Sequence, residues 1–175
     1  MLIGLGNSVV DDGLIRKSSD CSAKQTIDRL EGRLKENGLF TIRISHSDNA
    51  QKIEEPSKPV QLRPTELLIF GNPALGSQLM LSNQILGIDL PMKALAFEDE
   101  NGDVWIAYNS LDYLRDRHGI DDKDELFAKM AETLNKLTDF ARLCPVSVLE
   151  DEEPEHNRAN QKVCRKSPRS TIRKK

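Results

Sequence analysis

Four side chains in this sequence could carry chemistry: His46, Asn72, Asp89 and Lys93. An imidazole titrates near neutral pH, so His46 could act as a general acid or base with Asp89 or another carboxylate orienting it. The bland alternative is a lone histidine satisfying a backbone group, because no H-x-H, H-x-x-x-H or nearby cysteine supplies a second ligand at metal spacing. No metal site and no cofactor are expected. Asn72 sits in Gly71-Asn72-Pro73-Ala74-Leu75-Gly76-Ser77, which has the glycine spacing of a phosphate-binding loop. Ser77 stands where that motif needs a lysine, and Pro73 removes one amide from the cradle, which argues against nucleotide hydrolysis. What survives is the general affinity of a helix N-terminus for a phosphate or carboxylate. Lys93 could pair with Asp89 or with a ligand carboxylate, or its stem could lie along the surface with its charge in water. Glu98, Asp99, Glu100 and Asp103 crowd one short segment, but alternate faces around an exposed turn read as solvated rather than catalytic. His118 precedes Gly119 and reads as a cation at a helix end.

The elements that must position these residues follow from periodicity. Ser22-Ala23-Lys24-Gln25 has the form of a capping box, and Ala23, Ile27, Leu30 and Leu34 recur at helical spacing before Gly38, which predicts a helix over residues 23–37. Phe40, Ile42 and Ile44 then alternate with polar residues, a strand period that puts His46 on the apolar face. Pro56 and Pro59 mark residues 51–61 as a loop, and residues 66–70 read as a buried strand ended by Gly71. Asn72 and Pro73 suit an N-cap and a first helical position, which predicts a helix over 73–83. Residues 92–99 and 103–109 form a hairpin through Asn101-Gly102. A short helix over 111–118 ends at Gly119, and a longer one over 123–143 carries Leu126, Phe127, Met130, Leu134, Leu137 and Ala141 in one stripe. One tight hairpin with flanking helices and no regular βαβ alternation points to an α+β fold: two layers, a largely antiparallel sheet with helices on one face.

Composition bounds the setting. The chain has 175 residues, 38% of them hydrophobic and 30% charged, and no apolar run approaches the roughly 20 residues of a membrane helix, so a small soluble domain without a transmembrane segment is expected. One domain over residues 1–145 is expected, with its core at about 22–120, followed by a disordered tail over 146–175 in which acidic residues give way to basic ones. Eight basic residues and no acid lie beyond residue 157, leaving residues 1–157 with 17 basic against 28 acidic side chains. Such a tail could make weak nonspecific contacts with nucleic acid or an anionic surface, both strongly salt-dependent. The start of the chain is a poor secretory signal. Cys21, Cys144 and Cys164 are odd in number and widely spaced, which indicates neither a disulfide framework nor a zinc ribbon and favours a reducing cytoplasm.

Four turn and cap signatures stand out: Leu62-Arg63-Pro64, Phe70-Gly71-Asn72-Pro73, Asp89-Leu90-Pro91 and Arg117-His118-Gly119. With the apolar runs between them, they resemble the family filed as domain of unknown function 302, over about residues 27–120. The resemblance implies a small α+β domain that self-associates, hence a homodimer, and a recurring histidine at position 46. It hands over no catalytic residues. The leading expectation is a module binding a small anionic ligand near the Asn72 helix start, with His46, Asp89 and Lys93 as further contacts. The alternatives are an enzyme using His46 as acid or base, and a structural protein whose interface is the stripe from Leu126 to Ala141.

Overall fold

A computed structural model describes residues 13–53 and 61–145 of the chain. The readings of the N-terminal segment, of Pro56 and Pro59, of Cys164 and of the acidic and basic tail lie outside those residues. Five strands, β1 (Leu14–Ser19), β2 (Phe40–Ser45), β3 (Thr65–Gly71), β4 (Met92–Glu98) and β5 (Val104–Asn109), form one sheet in the order β1-β5-β4-β3-β2. Every neighbouring pair is antiparallel. The helices are α1 (Ala23–Glu36), α2 (His46–Gln51), α3 (Pro73–Ser82), α4 (Leu111–Arg117) and α5 (Asp124–Arg142), with a 3₁₀ turn at Gln84–Ile88. The fold is therefore α+β, as expected.

Pairing register divides the sheet into two faces. Leu68, Ala94 and Tyr108 lie in one cross-strand row, and Glu66, Ala96 and Ile106 in the next. This face meets α1 and α5 and forms the core, with Ile27, Leu30, Leu34 and Phe127 buried against it. Helix α1 forms where its sequence asks for it: the Ser22 hydroxyl accepts from the Gln25 amide, and the Gln25 side chain returns a bond to the Ser22 backbone. The opposite face carries Ile42, Ile69, Leu67, Leu95, Phe97 and Trp105, which are exposed or only half-buried.

Three elements are absent from the sequence reading: β1, α2 and the 3₁₀ turn. The expectation for His46 changes with α2. Strand β2 stops at Ser45, whose hydroxyl accepts from the Asp48 amide and opens the helix, so His46 is the first helical residue and is exposed. The alternation that carried it to the apolar face pointed toward the uncovered side of the sheet, not toward the core.

The hairpin forms, but through a longer connection than two residues. Asp99 and Asp103 bracket it, Gly102 takes a left-handed φ of 85°, and the Asp99 carboxylate accepts from the amides of Asn101 and Asp103 and from Trp105 Nε1. Burial works to raise the Asp99 pKa, but the bonds from Trp105 and from those amides pull it below the ordinary value. The acidic cluster is thus a turn device.

The cysteine reading is overturned. Cys21 and Cys144 are joined in a disulfide, Cα to Cα 5.3 Å across a separation of 123 residues. The bridge ties the start of α1 to the end of α5, where Asp20 N also donates to Arg142 O at 2.9 Å. The argument for a reducing cytoplasm from cysteine usage falls with it.

Candidate functional site: an apolar cavity behind the α3 segment

Between the end of α1, the start of β2, α3 and α5 lies a cavity of about 450 Å³. That volume is within the range of small-molecule sites. Its lining is almost wholly apolar. Leu34 and Leu39 come from the α1–β2 corner, Leu75 and Met80 from α3, and Leu126, Met130, Leu134 and Leu137 from α5. Those α5 residues belong to the stripe read as a possible interface. Here the stripe faces the cavity and core of its own chain, which removes the reading of that stripe as an exposed interface.

Two of the four signatures build the wall. Phe70-Gly71-Asn72-Pro73 and the Leu90-Pro91 pair, whose peptide bond is cis, all line the cavity. Gly71 allows a close approach there, since a Cβ at that position would stand 3.2 Å from the Phe40 ring and 3.4 Å from Pro91 Cβ, tight contacts that need a small shift of either neighbour. A larger residue would push the ring or the proline aside.

The polar groups at the cavity are few. Asn72 caps α3, its Oδ1 accepting from Ala74 N at 2.9 Å, while its carbonyl accepts from Leu75 N at 3.1 Å and Gly76 N at 3.0 Å. With Pro73 lacking an N–H, the first amides of α3 are all engaged within the turn. An anion at this helix start would have to displace one of these bonds. Lys129 and Thr133 on α5 and Ser77 on α3 also reach the cavity, and all three are exposed. Sequence reasoning missed Lys129 and Thr133, and read Met130 only as part of the α5 stripe. The only signal was their place on or beside the α5 stripe.

The four singled-out residues do not converge. Asn72 lies on the cavity, but His46, Asp89 and Lys93 do not line it. Lys93 Nζ donates to the Asp89 carbonyl at 3.3 Å rather than to its carboxylate. The Asp89 carboxylate instead meets His118 Nε2 at 2.6 Å, with side chains 13% and 5% exposed, and Arg117 approaches its other oxygen at 3.6 Å. His118 is the C-cap of α4, as its position before Gly119 predicts, and Asn83 Nδ2 donates to its carbonyl at 2.8 Å. The Asp-Leu-Pro and Arg-His-Gly signatures therefore meet, and they tie the 3₁₀ turn and its exit to the end of α4. Among the described residues the His46 side chain makes no hydrogen bond or ion pair, and Asp89 is engaged by His118, so the acid–base pair imagined for His46 with Asp89 is not assembled.

Comparison with known proteins agrees with this architecture. A crystal structure of an uncharacterized conserved protein DUF302 from Bacillus stearothermophilus superposes with a TM-score of 0.61 at 21% identity, covering 74% of this chain and 98% of that one. It establishes a shared fold. Two curated relatives, each named fluoride-specific ion channel FluC 1, come from Brucella suis and Brucella abortus. Each is 39% identical over 115 residues, which is 65% of this chain but only 43% and 40% of the respective relative. The chain thus spans less than half the length of these relatives. Among its described residues no helix is long and apolar enough to cross a membrane. The family described as Domain of unknown function DUF302 matches residues 15–137, taking in β1 and most of α5 beyond the four signatures. With that pattern matched over most of its length, this chain belongs to the DUF302 family.

Proposed function

We propose that this chain is a binding module for a small amphipathic molecule, with an apolar body in the cavity and a single anionic end at its rim beside Lys129. The observation that carries this reading is the cavity itself: about 450 Å³ of apolar lining, walled by family signature residues and kept open between α3 and α5. Burial of apolar ligand surface supplies the affinity, at about 25 cal/mol per Å², and one cation fixes orientation. The anionic end moves from the Asn72 helix start, where the amides are engaged, to Lys129. His46, Asp89 and Lys93 then play no direct part in binding. The Brucella relatives, named as ion channels and more than twice as long as the matched region, support a module that serves joined domains and is not itself a channel.

Native mass spectrometry of the gently purified protein, before and after incubation with decanoate, tests this reading. Retention of one acid per chain is expected, and it should weaken in Lys129→Ala. A bare mass in both samples contradicts it.

A second reading, the homodimer, is favoured by the uncovered sheet face. Ile42 is 55% exposed there, and Ile69, Leu95, Phe97 and Trp105 are half-buried beside it. A contiguous apolar face of this kind fits a second copy of the chain. The same mass spectrum reports subunit number, and Ile42→Asp should shift a dimer to monomer. A wild-type monomer at high concentration removes this reading.

A further inference from the structure

The segment that closes the cavity has a second face. Between Glu66 and Asp89 the chain has no charged residue, in a sequence that is 30% charged. Over Pro73–Ser82 and Gln84–Ile88 this uncharged run forms α3 and the 3₁₀ turn. Its inner side, including Leu75 and Met80, lines the cavity. Its outer side presents Leu81, Ile85 and Ile88, which are 87%, 72% and 72% exposed. Three large aliphatic side chains that exposed within eight residues are far from the scattered single apolar residues of an ordinary surface.

The segment is held at few packed points: Leu79 of α3 and Leu86 of the 3₁₀ turn are its fully buried residues. Polar tethers do the rest: Ser82 Oγ donates to Asp122 Oδ2 at 2.9 Å and Asn83 Nδ2 to the His118 carbonyl. Both tethers join the end of α3 to the chain between α4 and α5.

The chemistry of the patch selects its partner. Protein interfaces concentrate their binding energy in aromatic residues and arginine, and the run from Pro73 to Ile88 contains none of these. Residues 1–157 carry an excess of acid, so an anionic surface would be repelled by the body. A purely aliphatic, uncharged patch on an acidic body suits the headgroup–acyl boundary of a zwitterionic bilayer, where apolar side chains insert without ion pairing. Continuity supports the same partner, because the wall that would touch the lipid is also the wall of an apolar cavity. The geometry points to the α3 and 3₁₀ segment as a membrane-surface docking element that inserts Leu81, Ile85 and Ile88 into a phospholipid bilayer. This docking stands apart from the ligand proposal: decanoate binding can fail while vesicle binding holds, and the reverse.

Cosedimentation of the full chain with phosphatidylcholine vesicles tests the inference. At about 1 M salt the Debye length falls to about 3 Å, so the basic residues beyond 157 contribute little. The wild type should sediment with the vesicles, and Leu81→Ser/Ile85→Ser/Ile88→Ser should lose the affinity by roughly tenfold or more for each residue. The triple variant should melt with the wild type, because all three side chains face water. Leu143→Ser, at an exposed leucine that ends α5 and lines neither the cavity nor the sheet face, should bind vesicles unchanged. Absence of wild-type binding overturns the inference, as does equal binding by the triple variant or loss of binding in Leu143→Ser. A wild-type oligomer that the triple variant converts to monomer, without vesicle binding, would assign the patch to contacts between copies.

Discussion

Two helical regions of the same domain are built on opposite plans. The α1–α5 layer is amphipathic and closely packed, burying Ile27, Leu30, Leu34 and Phe127 and closing its far end with the Cys21–Cys144 bridge. It even absorbs a lysine: Lys17, 5% exposed, donates to Asn135 Oδ1 at 2.7 Å, Thr138 Oγ1 at 2.8 Å and Asp139 Oδ1 at 3.1 Å. The segment of α3 and the 3₁₀ turn is apolar on both sides, buries only Leu79 and Leu86 fully and leaves a cavity beneath it. The contrast teaches where stability and binding reside. One layer spends most of its apolar surface on the core and turns only one end of it to the cavity, and the other keeps its apolar surface available on the inside and the outside.

Substitutions should separate the two. Phe127→Ala, in the packed layer, should destabilise the fold by about 3–5 kcal/mol in chemical denaturation, since it empties a fully buried site. Removing the bridge by Cys21→Ala/Cys144→Ala should lower stability by about 2–4 kcal/mol, because it frees a long loop in the unfolded chain. A loss below about 1 kcal/mol in the first case would mean that the packed layer is not where stability is held.

A smaller effect is expected at Asp139. Burial works to raise its pKa, but Arg142 and Lys17 outweigh it and hold the carboxyl below the ordinary value. A group with a depressed folded-state pKa stabilises above its unfolded value, near about 3.9 for aspartate, and that contribution is lost as pH falls through the folded value. The melting temperatures of wild type and Asp139→Asn should therefore converge in acid and separate toward neutral pH. The smallest effect belongs to the other region: Leu81→Ser should change stability by no more than about 0.5 kcal/mol. A large loss there would show that the outer face of α3 is packed after all, and the contrast would fail.

Much of this contrast was legible in the sequence where the forces are local. The capping box at Ser22, the Asn72-Pro73 helix start, Gly102 in the hairpin and the α5 stripe all lie where spacing placed them. Strand β1 was not legible, because Lys17 sits on its inward face and reads as polar, and only pairing with β5 makes it a strand. The disulfide joins cysteines 123 residues apart, a distance at which spacing carries no information. His118 was correctly read as a helix cap, yet its ring bond to Asp89 depends on how α4 packs against the 3₁₀ turn. The cavity draws on α1, β2, α3 and α5 together, so no single segment announces it.

The central claim is that the cavity binds an amphipathic molecule, and Gly76 offers the most direct way to test it. Gly76 lies in α3 on the cavity wall, and a Cβ there would meet only Leu90 at 3.7 Å, an ordinary contact. Gly76→Leu should favour the helix by up to about 1 kcal/mol while placing a bulky side chain on the cavity wall, in the space a ring system needs. The measurement is titration of anilinonaphthalene sulfonate, an apolar ring system with one anionic group, into wild type and Gly76→Leu, with a melting curve for each. The account predicts saturable binding of one dye per wild-type chain, and loss of that binding in a variant that melts no lower than the wild type. Equal dye binding by both proteins would contradict it.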